Sequence, residues 1–242
     1  MQTSSCRFHL YHTKMSDNAN IDEINTIFTN SEGILMEEML MHQLQSRLKN
    51  NPRVVLKRDR HGNTLVHRAA AHSSPEYCRV LLEFDHTHES LPIGVTDGEL
   101  QLPIHVPCKH CNLETARYLL ELHPGSINMT TTDGWNCLHW FLVRHVGVNP
   151  ANIDGANRTV EQVVDFVRFL LKHAPGLISS ATPGGELPLH VACRMAWSHG
   201  FSVVTFLCYA YPAVFCTKDN DGDTPLAVLI KNLEPNNEAH YL

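Results

Sequence analysis

A short block recurs along this chain and limits what it can fold into. The block is an Asp, two residues, a Gly, one residue, and then a Thr-Pro-Leu-His-like run that opens a helix. Its clearest copies are Asp59-Arg60-His61-Gly62-Asn63-Thr64-Leu65-Val66-His67 and Asp219-Asn220-Asp221-Gly222-Asp223-Thr224-Pro225-Leu226-Ala227. Three looser copies end Leu102-Pro103-Ile104-His105, Asn136-Cys137-Leu138-His139 and Leu187-Pro188-Leu189-His190. The intervals from His to His are 38, 34 and 51 residues, and 37 more lead to Ala227. A unit this short buries its apolar face only against its neighbours, so a fixed period slightly above 33 residues predicts a row of stacked supersecondary units.

Each unit carries a second half in the same register. After the His comes a helix of small residues, such as His67-Arg68-Ala69-Ala70-Ala71, and then an apolar helix led by an acidic residue. Those second helices are expected at 76–84, 114–122 and 161–172, with Leu81-Leu82, Leu119-Leu120 and Leu170-Leu171 at matching places. Glu76 and Glu114 both stand nine residues beyond their His. The predicted fold class is therefore all-α, a row of paired helices.

On these residues the stretch 59–231 resembles the ankyrin-repeat family, as four full repeats and a partial fifth. The resemblance implies a solenoid of stacked helix-turn-helix units joined by hairpin loops, which binds other proteins. Two departures stand out. Leu100 occupies the place of the hairpin Gly, so the second hairpin is expected to be irregular, because only Gly takes positive φ cheaply. Leu102, Asn136 and Leu187 replace the Thr, which at the two Leu positions removes a capping hydroxyl and leaves the His to find backbone partners.

Around the array, residues 1–20 lack periodicity and are expected to be disordered. Residues 21–58 form an N-terminal capping region whose helix, at 32–50, stops at Asn51-Pro52. The long interval places an insertion of loop-forming residues at about 146–157, after which Thr159 and Gln162 supply a capping box. The fifth unit has only its first helix, at 225–231, followed by a tail at 232–242 too short for a regular second one. That end of the array is expected to expose apolar surface, or to be covered by a partner.

Composition narrows the function classes. With 19 Lys and Arg against 25 Asp and Glu the formal charge is −6, which disfavours nucleic acid as a partner. Residues 201–216 carry no charge yet are too short to span a bilayer, and read as a buried helix followed by a turn, so no membrane association is expected. Eight Cys without framework spacing, and no export signal, indicate reduced thiols in an intracellular chain, cytoplasmic or nuclear.

Reaction chemistry finds little footing. Of 17 His, four stand in the repeated block, where ring hydrogen bonds close the turn. The densest cluster is His105, Cys108, His110 and Cys111, in which Cys108 and Cys111 have the spacing of a zinc half-site. There is no second pair, and Cys108 and Cys193 both stand three residues after a motif His, where the repeat takes a small buried side chain. No cofactor is expected. A small zinc- or thiol-dependent enzyme centred on this cluster is the alternative to a non-enzymatic binding module.

The resemblance also implies that a partner meets a concave face formed by the hairpin tips and the exposed side of the first helices, whose residues can be read by register. The residue after each hairpin Gly position is Asn63, Gln101, Trp135, Glu186 and Asp223, and the one after each motif His position is Arg68, Val106, Trp140, Val191 and Val228. This face starts basic with Arg60, His61 and Arg68, passes Trp135 and Trp140, and ends acidic with Glu186, Asp221 and Asp223. The two Trp are the expected anchors, because a large rigid ring buries much area at low entropy cost. Their other role would be packing between neighbouring repeats.

Overall fold

A computed structural model of the chain describes residues 34–51, 54–55, 57–59, 61–71, 74–83, 101–145, 159–195 and 201–233. The expected disordered start, the hairpin around Leu100, the insertion at 146–157, Arg60 and the tail beyond 233 lie outside these residues. The described residues form ten α-helices and no strand. These are α1 (Ile34–Asn50), α2 (Leu65–Ala70), α3 (Glu76–Glu83), α4 (His105–His110), α5 (Leu113–Leu122), α6 (Cys137–His145), α7 (Val160–His173), α8 (Pro188–Arg194), α9 (Phe201–Ala210) and α10 (Pro225–Leu233). The fold is all-α.

The helices form two layers. In the first, α2, α4, α6, α8 and α10 pack each against the next in chain order. In the second, α3 lies on α2, α5 on α4, α7 on α6 and α9 on α8, while α1 packs on α3. The apolar residues of both layers supply the core. Phe141 of α6 and Phe166 of α7, both wholly buried, stack face to face with centroids 4.6 Å apart. Residues 201–216 form α9 and a following turn, and no helix among the described residues is long and apolar enough to cross a membrane.

Four tight turns precede the first-layer helices with one geometry. The amides of Asp59, Thr131, Thr182 and Asp219 donate to the carbonyls of Asn63, Trp135, Glu186 and Asp223, at 2.8–3.0 Å. The amides of Gly62, Gly134, Gly185 and Gly222 donate back to the first residue, and all four Gly have φ between 71° and 84°. Successive turns also touch. The Asn220 amide donates to the Gly184 carbonyl at 3.0 Å, and its side-chain amide donates to the Pro183 carbonyl. A Cβ on Gly185 would lie 2.8 Å from the Asn220 backbone nitrogen, whereas one on Gly222 would meet open space.

This difference separates two effects. Gly222→Ala is expected to cost about 1–2 kcal/mol, the strain of a left-handed backbone on an L-residue. Gly185→Ala adds a collision with the next turn and is expected to cost more. Urea unfolding of both variants checks this, and an equal or smaller loss at Gly185 would contradict the stacking of the turns.

The motif His rings close these turns and bridge the units. His67, His105, His139 and His190 each accept at Nδ1 from the amide three residues earlier, on Thr64, Leu102, Asn136 and Leu187, at 2.9–3.3 Å. A backbone amide can only donate, so each Nδ1 is unprotonated and each Nε2 carries the hydrogen. Those Nε2 atoms lie 3.0–3.2 Å from the carbonyls of Gln101, Met129, Glu186 and Asp223, in the following unit or just ahead of it. The rings thus find backbone partners where Leu replaces the capping residue. At the remaining substituted position the Asn136 side chain accepts from the Leu138 and His139 amides, a helix cap in its own right.

Helix ends follow local chemistry as well. Thr159 and Gln162 exchange the reciprocal bonds of a capping box at the start of α7. One recurrence was not anticipated. His123-Pro124, Ala174-Pro175 and Tyr211-Pro212 each stop a second-layer helix, and each leads into a 3-10 turn. The amides of His123, Ala174 and Tyr211 donate to Leu119, Leu170 and Leu207, all at 2.9 Å. The sequence signal was the Pro register, spaced 51 and 37 residues like the motif itself. Pro ends the helix because it lacks the amide and restricts the residue before it.

Candidate interaction surface

The described members of the predicted face sit on the first-layer helices and the turns that precede them. Trp135, just past Gly134, and Trp140, in α6, are both partly buried and meet edge to face with centroids 5.1 Å apart. Trp135 also lies 6.2 Å from the His139 ring, which burial drives toward the neutral form, lowering its pKa to about 4. The Lys109 ammonium of α4 stands 5.1 Å from the centre of the Trp140 ring, a cation–π contact between adjacent units. The Trp140 indole nitrogen is buried with no hydrogen-bond partner among the described residues. Trp140 thus joins neighbouring units and contributes to the surface at once, while Trp135 occupies the turn above it.

The charged ends of the face are built from ion pairs. Arg68 donates from Nε and Nη2 to Asp59 Oδ2, at 3.0 and 2.5 Å, while Oδ1 accepts from the His61 and Asn63 amides. Burial pushes the Asp59 carboxyl up, but the Arg68 hydrogen bond, the two amides and the Arg68 charge together hold it below the ordinary carboxylate range. Arg68 therefore also braces the first turn. His61 is exposed beside it.

At the far end Glu186 pairs with Arg194, and Asp223 pairs with Lys231. The Asp223 carboxylate in turn holds the Lys231 ammonium above its ordinary value. Reading residues singly gave an acidic end and missed these two bases. The signal was the equal spacing of eight residues, which carries the chain from the turn to the last turn of the helix in both units. Asp221 is exposed, and with Asp219, Gly184 and Val228 it borders a cleft of about 470 Å³ that both ion pairs also line.

The residues of the His and Cys cluster differ in their surroundings. Cys108 is fully buried, and burial drives its thiol well above the ordinary value, with Cys137 and Cys111 adding to the rise. Cys111 takes the left-handed position that ends α4. Both ring nitrogens of His105 already meet the backbone. Among the described residues no three His, Cys, Asp or Glu side chains are placed to hold a metal ion. Cys193 is likewise buried, its thiol pushed up to about 12 by desolvation, as befits a core side chain rather than a nucleophile.

Set against known proteins, the chain matches no family profile and no curated protein.

Proposed function

We propose that this chain is an ankyrin-repeat-type solenoid that acts as a non-enzymatic protein-binding module, using the concave face of the stack. Four identical Gly turns and four His rings bonded in one register support the repeat reading. The observation that carries the functional reading is the Trp135–Trp140 pair in the middle of a row of first-layer helices, flanked on both sides by charged residues. Such a surface has aromatic anchors with a polar surround, the usual distribution of binding energy in protein interfaces.

The partner is an extended or helical protein segment lying along Arg60, His61, Arg68, Trp135, Trp140, Glu186, Asp221 and Asp223. Its acidic end lies toward the first unit and its basic end toward the fifth. There its cations compete with Arg194 and Lys231 for the carboxylates, so this end is expected to contribute more to orientation than to affinity. Nucleic acid, membrane and cofactor have no part in this reading, and the work is done inside the cell.

The test is affinity capture from lysate with the intact chain and with a Trp135→Ala, Trp140→Ala double variant whose helicity is verified by circular dichroism. A partner held by the first is expected to bind the second at least about 30-fold more weakly, the equivalent of one hot spot of about 2 kcal/mol. Equal capture by both would overturn the assignment of the groove.

A further inference from the structure

The second layer repeats a contact of its own, in which an Arg of one helix lies over an aromatic ring of the next. Arg79 of α3 is 5.4 Å from the centre of the Tyr118 ring of α5, and Arg117 of α5 is 5.5 Å from that of Phe169 in α7. Arg168 of α7 is 5.1 Å from the ring centre of Phe206 in α9. Each Arg also has an acid three residues earlier. Glu76 pairs with Arg79 at 3.5 Å and Asp165 with Arg168 at 2.9 Å. The middle contact departs from this pattern, since among the described residues Arg117 pairs with no carboxylate, neither Glu114 nor Glu121. The helices part there as well: α7 packs on α9, whereas a cleft of about 580 Å³ opens between α5 and α7.

Buried Leu120 and half-buried Leu113 and Phe169 give this cleft an apolar floor. Arg117 stands on the α5 side and exposed Lys172 on the α7 side, and Lys172 likewise pairs with no carboxylate among the described residues. Asp165 is engaged by Arg168, which leaves Glu121 as the lining carboxylate outside an ion pair. With His173 neutral, the lining holds three cations against two carboxylates, on a chain whose formal charge is −6. The cleft is thus locally opposite in sign to the protein that carries it.

From this cleft we infer a second docking site, which takes an acidic segment of a partner protein. A carboxylate of the segment meets Arg117 and Lys172, in the place that an acid of the same helix fills at Arg79 and Arg168, while a neighbouring apolar side chain covers Phe169. The inference does not rest on the Trp groove, which lies on the first layer and has an occupant of its own. Shape favours a chain segment over a compact ligand. From Leu113 to Glu121 helix α5 rises about 12 Å, the span of about four extended residues. A contact this small falls below the size of stable interfaces, so the site is expected to bind weakly and to act as a second point of attachment.

Two-dimensional NMR titration of the full chain with the blocked peptide acetyl-Ala-Leu-Glu-Leu-amide tests this. Amide signals of α5 and of the second half of α7 are expected to move, and the same peptide with Gln for Glu to bind about tenfold more weakly. The Arg117→Gln, Lys172→Gln double variant is expected to lose about as much, and Lys172→Gln alone, at an exposed side chain, to act in the same direction. Glu121→Gln removes the opposing carboxylate and is expected to tighten binding. The Trp135→Ala, Trp140→Ala variant is expected to bind the peptide like the wild type, which keeps failure of the groove separate from failure of this site. Unmoved signals in α5 and α7, equal binding of the Gln peptide, or unchanged binding by the double variant would each overturn the proposal. So would acetate moving the same signals at the same concentration, since the site would then take any small anion.

Discussion

Acidification from pH 7 to 4 is expected to remove about 3 kcal/mol of stability through His139 alone, given one pKa unit as about 1.4 kcal/mol. Its ring is wholly buried, accepts from the Asn136 amide at Nδ1 and faces the Glu186 carbonyl through Nε2, and burial lowers its pKa from 6.5 to about 4. Between those values the unfolded chain holds the proton and the folded chain does not, so stability falls as pH falls. The loss begins near 6.5 and is complete below about 4. His139→Gln has no titrating ring, so the gap in unfolding free energy between wild type and variant isolates this group from carboxylates that titrate nearby. That gap should shift by about 3 kcal/mol between pH 7 and 4. A gap independent of pH would contradict the buried, neutral ring.

Phe166→Ala is expected to cost about 3–5 kcal/mol, a large share of the 5–15 typical of a folded domain. The ring is wholly buried and lies flat on Phe141, so truncation leaves a cavity between α6 and α7 and deprives Phe141 of its stacking partner. Because each unit leans only on its neighbours, the damage should spread from the third unit outward. Urea unfolding followed by circular dichroism measures it. A midpoint close to that of the wild type would show that α6 and α7 are not joined through these rings.

What could be read beforehand was whatever depends on local chemistry at a fixed spacing. Gly62, Gly134, Gly185 and Gly222 marked their turns because positive φ excludes most other residues. The motif His positions marked helix starts, and Thr159 with Gln162 marked the start of α7. Helix ends were less legible: α10 runs on to Leu233, two residues past the expected 231, since its last turn is held by Asn232 reaching back to α8.

Register singled out Glu186 and Asp223 for the predicted face, and both line a cleft, but an ion pair is a property of two residues. Arg194 and Lys231 came into view only once the turn and helix were folded onto one another. Arg68 shows the same lesson, its guanidinium held by a buried carboxylate that a one-residue reading treats as part of a turn. Trp140 shows another, since its contact with Lys109 crosses from one unit to the next and no local pattern announces it.

The most direct measurement of the binding account is amide hydrogen exchange of the full chain with and without the captured partner. Slowed exchange on α4, α6 and α8 and on the turn from Thr131 to Trp135, with α5, α7 and α9 unchanged, is the predicted result. Protection confined to the second-layer helices α5, α7 and α9, with the first layer unaffected, would contradict it.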